Sequence, residues 1–402
     1  MTSIIIVLCI VFLIAYMLDI TAKKSRIPSV ILFMLLGAIA RIAANTLSIN
    51  LEELEKLLPV FGTIGLLLIV LEGSLELEFD SGKKKNILQA VIMSLSPVLL
   101  SSILLAILLS YASNSPFKFA LANAIPLAVI SSAIAIPTAV LLNRKNRDFV
   151  VYESSLSDIF GVLFFNFITL NDNIGFYSTG SFIVSLLVML LISGVATFIL
   201  AFLMGRIRYQ VKFMPIIIMV ILVYYIAKHY HLPALVFVLI LGLVLGNIRL
   251  FERWTIMRPI AIKTIEKEIA KFRGLTAEMA FLVRVMFFVT FGFFIDPNTL
   301  FNGATLLWSV GICAGIYLLR MLHLWLLKLP VKSLWFIAPR GLITILLFLS
   351  IPAGENLQLV NNSLIIQVIV ITAIVMMLGM LFVKSKPSEQ ALDAAKAAQT
   401  EE

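Results

Sequence analysis

The stretches IPSVILFMLLGAIA (residues 27–40) and LPALVFVLILGLVLG (residues 232–246) decide how this chain is read. Both are apolar almost throughout, and Pro28 to Gly37 in the first matches Pro233 to Gly242 in the second. Two further pairs follow in the same order. LEGSLELE around Gly73 matches TFGFFIDP around Gly292, each an apolar run closing on a small residue and then an acid. More weakly, AIAIPTAV around Pro137 matches IAPRGLIT around Pro339. One such pair would mean little, because apolar segments resemble one another. Three in register point to a duplicated unit.

Composition says what solvent the unit meets. Of 402 residues, 61% are apolar and 13% charged, against roughly 25% charged in a soluble domain. Apolar stretches long enough to cross a hydrocarbon layer of roughly 30 Å recur along the chain. The spans read from them are 3–20, 27–44, 58–79, 87–112, 118–142, 150–170, 181–204, 213–228, 232–248, 279–296, 303–323, 333–352 and 362–383. The expected fold class is thus an all-α polytopic membrane protein of about 13 transmembrane helices. The first segment lacks a basic run ahead of it and is followed by Lys23, Lys24 and Arg26, so it is expected to be retained as a helix.

Lys and Arg beside membrane helices gather on the cytoplasmic side. Here they fall in alternate connections: Lys23, Lys24 and Arg26; Lys83, Lys84 and Lys85; Arg144, Lys145 and Arg147; Arg206, Arg208 and Lys212; then Arg249 to Arg273. The expected location is the plasma (inner) membrane, multi-pass, with the amino terminus outside and Lys384 and Lys386 inside, which requires an odd number of helices. The net charge of +9 is accounted for by these loops, so nucleic acid is not an expected partner; membrane lipid is. Cys9 and Cys313 lie in apolar helices with no metal or disulfide spacing, and no cofactor is expected.

On this orientation the helix after Pro28 runs outward and the helix after Pro233 runs inward. Helices one to six and eight to thirteen therefore form two inverted six-helix repeats. Secondary transporters are commonly built this way, since exchanging the conformations of the halves turns an outward-open protein inward-open. Pro137 in the fifth helix and Pro339 in the twelfth remove backbone hydrogen bonds in mid-membrane, so crossed broken helices are expected there.

An ionised side chain near the bilayer centre costs about 2.5 to 3.5 kcal/mol on insertion scales and so needs a partner or a task. The candidates are Glu72, Glu153, Asp158, Arg284, Arg320 and Arg340, whereas Asp19, Glu76, Glu78 and Asp296 fall at helix ends. In the sixth helix Glu153 and Asp158 are five residues apart, about 140° around the helix, so they cannot share one site directly. Ser154 lies one turn below Asp158 on its face. One acid is expected to carry the ion and the other to form a structural ion pair. Burial penalises only the charged form of the carboxylate, so a proton or a monovalent cation must accompany it, and the two compete for one acid.

At YESSLSD (residues 152–158), APRG (338–341) and AIAIPTAV (133–140), the sequence resembles the monovalent cation/proton antiporter superfamily, especially its sodium/proton exchanger branch, over nearly the whole chain. The resemblance implies a dimerising scaffold (1–82 and 213–300), an ion-transporting core (83–175 and 301–386), a linker helix (176–212) and a cytoplasmic tail (387–402). It implies that Asp158 binds ion and proton, that Ser154 helps coordinate, and that Glu153 pairs with Arg340 while Arg320 steadies the core. Ser157, Thr138, Ser131 and Ser132 complete the expected ion site, with no metal beyond a monovalent cation at Asp158.

The departures from the family pattern carry information. Ser157 stands where relatives have Asn or a second Asp, so one-for-one, electroneutral exchange is expected. Ala135 and Ile136 precede Pro137 where many relatives have Thr-Asp, which leaves the ion's identity open. The expected function is exchange of Na⁺, with K⁺ or Li⁺ as alternatives, for H⁺ by a homodimeric transporter that is not an enzyme. The alternatives are a sodium-coupled symporter of an organic solute, for which only Asn166, Ser131 and Ser132 offer polar anchors, and a non-transport ion sensor.

Overall fold

The computed structural model describes residues 2–25, 28–46, 52–77, 84–139, 142–171, 175–206, 213–230, 232, 234–251, 262–294 and 302–382. Arg26, Glu78, Lys83, Arg208, Lys212, Pro233, Asp296, Lys384, Lys386 and the expected tail (387–402) lie outside them. Among the described residues the regular structure is entirely helical, as expected of a chain whose backbone must be satisfied within lipid. In order the helices are α1 (Thr2–Ser25), α2 (Ser29–Thr46), α3 (Glu52–Glu76), α4 (Lys84–Ser113), α5 (Phe117–Ala128), α6 (Ser132–Ala139), α7 (Arg144–Leu170) and α8 (Phe176–Arg206). They continue as α9 (Phe213–His229), α10 (Leu235–Gly246), α11 (Ile262–Phe294), α12 (Gly303–Leu326), α13 (Val331–Leu334), α14 (Leu342–Leu349) and α15 (Asn362–Phe382).

A helix, or a pair of short ones, lies over each stretch read as a span. Seven of them are long and apolar enough to cross a membrane, and four shorter apolar helices join them; this is a multi-pass membrane protein. The boundaries differ where charge misled the reading. α11 begins at Ile262 rather than near residue 279, and α7 at Arg144 rather than 150. A helix satisfies its own backbone in water as well as in lipid, so hydropathy marks the membrane and not the end of the helix. For α7, Asn143 fixes the true start, its side chain accepting from the Asn146 amide at 2.9 Å.

The fifth and twelfth spans are both broken, but not both at their prolines. The fifth unwinds at residues 129–131, and Pro137 sits within α6. The twelfth is non-helical over residues 335–341, a stretch that includes Pro339. Pro137 and Pro339 therefore do not occupy matched places. The physical reason is that partners elsewhere in the protein take up the freed groups at 129–131, as described below.

Helix packing falls into two sets. α2 packs on α11, α3 on α10 and α11, and α10 on α8; α4 packs on α5 and α7, α6 on α7, and α12 on α15. Two crossings are close enough to exclude any side chain. A Cβ on Gly37 of α2 would overlap the Val289 carbonyl of α11, and one on Gly292 would overlap that of Met34. Where α10 meets α3, Gly242 lies against Ser74, next to Gly73. Of the glycines matched across the two halves of the sequence, Gly37, Gly242 and Gly292 lie where these helices touch, as small residues do where membrane helices approach, whereas Gly73 faces Ser155 of α7.

Gly37→Leu should force α2 and α11 apart and lower the melting temperature of detergent-purified protein by an amount corresponding to about 1–3 kcal/mol or more. Gly311→Ala, where a Cβ meets nothing within 4 Å, should leave it unchanged or slightly raised; equal loss in both would refute the crossing.

Candidate ion site

The site forms where the two interrupted helices meet. α5 ends at Ala128 and Val129 is extended, with φ −77° and ψ 133°, so carbonyls and amides leave the helical ladder at a depth where water is scarce. Five of the freed groups have partners outside their own helix. The Ile130 amide donates to Ser157 Oγ at 3.0 Å, and the Ser131 amide donates to the Pro339 carbonyl of the other break at 2.9 Å. The Ser132 amide donates to Asp158 Oδ2 at 3.3 Å, and Ser132 Oγ donates to the same oxygen. The carbonyls of Leu127 and Ala128 accept from Arg340 Nε at 2.8 Å and Nη2 at 3.0 Å.

Two charges thereby sit on two helix ends. The guanidinium of Arg340 caps the carboxyl end of α5, where the helix dipole is negative, and the carboxylate of Asp158 faces the amino end of α6, where it is positive. Arg340 has its third bond to the Ala338 carbonyl, Nη1 to oxygen 2.7 Å, while its own amide donates to Thr372 Oγ1 at 3.0 Å. This corrects one pairing expected from the sequence. Arg340 is held by carbonyls and makes no salt bridge to Glu153. The carboxylate of Glu153 is met by Arg320 instead, Nη1 to Oε1 2.6 Å and Nη2 to Oε2 2.9 Å, with Nε donating to the Leu334 carbonyl at 3.0 Å. Arg340 stands in the break itself, where bare carbonyls lie within its reach; Arg320 stands on α12 opposite α7 and presents its flat fork to the acid.

Asp158 is 2% exposed, and its Oδ1 is buried with no hydrogen-bond partner among the described residues. A carboxylate oxygen without a donor is costly in such a place unless a proton or a cation meets it. The hydroxyl of Ser131 is likewise buried and without a partner there. Of the other residues expected at the site, Ser157 is drawn to the break as an acceptor. Ser154 donates to Val150 O at 2.8 Å and Thr138 to Ile134 O at 2.9 Å, each within its own helix. Thr372 and the carbonyls of Leu127 and Ala128 were not anticipated. Thr372 is one hydroxyl among many, and main-chain acceptors leave no mark in a sequence.

A cavity of about 50 Å³ reaches this site, lined by Glu72, Gly73 and Glu76 of α3, Arg284 of α11, and Ser132 and Ile136 of α6. Arg284 Nη2 holds Glu72 Oε2 at 2.9 Å, which partners two of the membrane charges picked out in the sequence. The cavity thus touches the same serine that holds Asp158.

Arg320→Ala should destabilise the protein by about 3–5 kcal/mol, because it leaves Glu153 buried and unpaired. Adding Glu153→Gln should recover part of that loss in a thermal melt; no recovery would mean the two residues are not coupled in stability.

The match to the sodium/hydrogen exchanger transmembrane family covers residues 8–384. No curated protein matches the chain. Among solved structures, the chain resembles the sodium proton antiporter MjNhaP1 of Methanocaldococcus jannaschii at pH 8, with a TM-score of 0.67, 19% identity and 98% of each chain covered. An electron-microscopy structure of the same antiporter matches with a TM-score of 0.67 at 18% identity, covering 95% of each chain. At that identity the structural likeness speaks for the fold, and the family match for the lineage. The chain belongs to the transmembrane sodium/hydrogen exchanger family.

Proposed function

We propose that this protein exchanges a monovalent cation, Na⁺ before K⁺ or Li⁺, for H⁺, one for one, with Asp158 as the group that carries each in turn. The observation that bears most weight is the partnerless Oδ1 of Asp158, buried where two helix breaks cross. The family supports cation/proton exchange, and the name of MjNhaP1 as a sodium proton antiporter supports Na⁺. With Na⁺ or H⁺ gone, the carboxylate keeps the Ser132 amide and hydroxyl and the amino end of α6, so the empty site is bearable but not comfortable. Ser132 at the carboxylate, with Ser131 and Ser157 at the same break, would offer neutral oxygens of the kind a hard monovalent ion takes. Thr138 and Ser154 would join only by turning away from their own helices.

Electroneutrality follows from the count of charges. Ser157 stands where a second acid would be and is spent on the Ile130 amide, while Glu153 is neutralised by Arg320. That leaves one carboxylate where the two breaks meet, which is charge-neutral with either passenger.

Alternating access is supported by what lies on either side. Toward the basic loops, read as cytoplasmic, the cavity with Glu72 and Glu76 approaches Ser132. Toward the other face α5 is tied down: Lys118 Nζ meets Glu355 Oε1 at 3.2 Å, and Asn123 Nδ2 donates to the Glu355 carbonyl at 2.8 Å. We read this as an inward-facing state of two inverted halves. The set comprising α4–α7 and α12–α15 would move as the core, and that comprising α1–α3 and α9–α11 would stand as a dimeric scaffold, with α8 linking the halves.

In liposomes with an imposed pH gradient, Na⁺ should dissipate the gradient without regard to membrane voltage, and Asp158→Asn should reduce this to the rate of empty vesicles while the protein still melts cooperatively. Exchange retained by the variant would move the carrier role elsewhere; a marked voltage response would contradict the single-carboxylate stoichiometry.

A further inference from the structure

A second cavity, of about 320 Å³, lies at the basic-loop end of the molecule, apart from the ion site, between the start of α4, the start of α7 and the turn after α12. That size is at the low end of the roughly 300 to 1,000 Å³ of small-ligand sites. Lys145 of α7 and Lys328 of the turn both line it, with Asn86 and Asn146; Phe149 and Leu334 are among its apolar walls.

Three observations bear on its occupant. First, both lysines are exposed, and among the described residues no carboxylate lines the cavity and neither lysine has an ion-pair partner. Asp148, on the same helix, is not part of the wall. Two ammonium groups converging on one recess repel unless an anion lies between them. Second, Asn146 lines the cavity although it is only 7% exposed, and its side chain makes no hydrogen bond to another described residue. Third, the recess includes the first turn of α7, where the Asn146 amide is taken by Asn143 Oδ1 and the Arg147 amide by the Asn143 carbonyl. The amides of Arg144 and Lys145 are left as first-turn donors at the positive end of a long helix, which suits a phosphate.

The turn that carries Lys328 is held in place. Leu329 N donates to Leu324 O at 2.9 Å and Lys328 N to Trp325 O at 3.0 Å, closing α12 with Lys328 in the left-handed region at φ 54°. Gln89 Nε2 of α4 donates to the Leu327 carbonyl at 3.1 Å. The preference of basic residues for cytoplasmic loops explains their number, but not their convergence on one recess walled by the largely buried Asn146.

We propose that this cavity binds a phosphate group, either free or as the headgroup of an anionic lipid, the chemistry that basic pockets between membrane helices take up. A ligand held there joins the end of α7, which carries Asp158 and Glu153, to the end of α12, which carries Arg320. The test is thermal melting of the full-length protein in neutral detergent at matched ionic strength, with added inorganic phosphate, dioctanoyl phosphatidylglycerol, dioctanoyl phosphatidylcholine or chloride alone. Phosphatidylglycerol is expected to raise the melting temperature by about 3 °C or more, and the zwitterionic lipid to do less. If inorganic phosphate matches it, the site takes the free anion; if not, it takes the lipid. The gain should vanish in the Lys145→Gln/Lys328→Gln double variant, whose melting without additive should equal the parent's because both side chains are exposed, and should remain in Lys267→Gln. Stabilisation by neither phosphate nor phosphatidylglycerol, an equal response to both lipids, or an undiminished response in the double variant overturns the proposal.

Discussion

Two helices are interrupted where water is scarce, and the backbone groups that leave the helical ladder there have to be bonded by protein. An unsatisfied amide or carbonyl in such surroundings costs several kcal/mol, so the interruption persists only if partners are built around it. Each break supplies partners to the other: the Ser131 amide bonds the Pro339 carbonyl, and Arg340 bonds the last carbonyls of α5. Side chains of α7 supply the rest through Ser157 and Asp158. Neither break has its full set of partners without the other, which is a physical reason for them to cross.

The charges follow from that geometry. An interrupted helix presents a negative end and a positive end to each other across a few residues, and the protein puts Arg340 on one and Asp158 on the other. Each nitrogen of the Arg340 guanidinium bonds a carbonyl. Asp158 is engaged through one oxygen only. That asymmetry separates a structural charge from one with capacity to bind. Glu153, a turn and a half away on the same helix, is closed by both nitrogens of Arg320 and has no such capacity.

Much of this could be read from the amino acids, and the misses have physical causes. Apolar length located the membrane helices, and the small residues Gly37, Gly242 and Gly292, picked out by internal similarity, proved to be crossing points: a Cβ on Gly37 or Gly292 would strike the facing backbone, and one on Gly242 would strike Ser74. The angular separation of Asp158 and Glu153 placed them apart on α7, and they meet different partners, Ser132 and Arg320. The pairing of Glu153 was misjudged because helical spacing says nothing of which arginine on a distant helix faces it, and Arg340 had an alternative that sequence does not show, the bare carbonyls of α5. The break in the fifth span was placed at Pro137 for the same reason. A helix opens where its freed groups find partners, and at 129–131 those partners come from residues 157, 158, 339 and 340.

The central claim is that one carboxylate holds either a proton or a cation and never both. Its most direct measurement is proton release on Na⁺ binding, followed by adding Na⁺ to detergent-purified protein in weakly buffered solution near neutral pH. The account predicts release of up to about one proton per protomer, saturating with Na⁺ and absent in Asp158→Asn, as linkage requires for competition at a single group. Saturable Na⁺ binding that releases no proton, or release that survives in the variant, would contradict it.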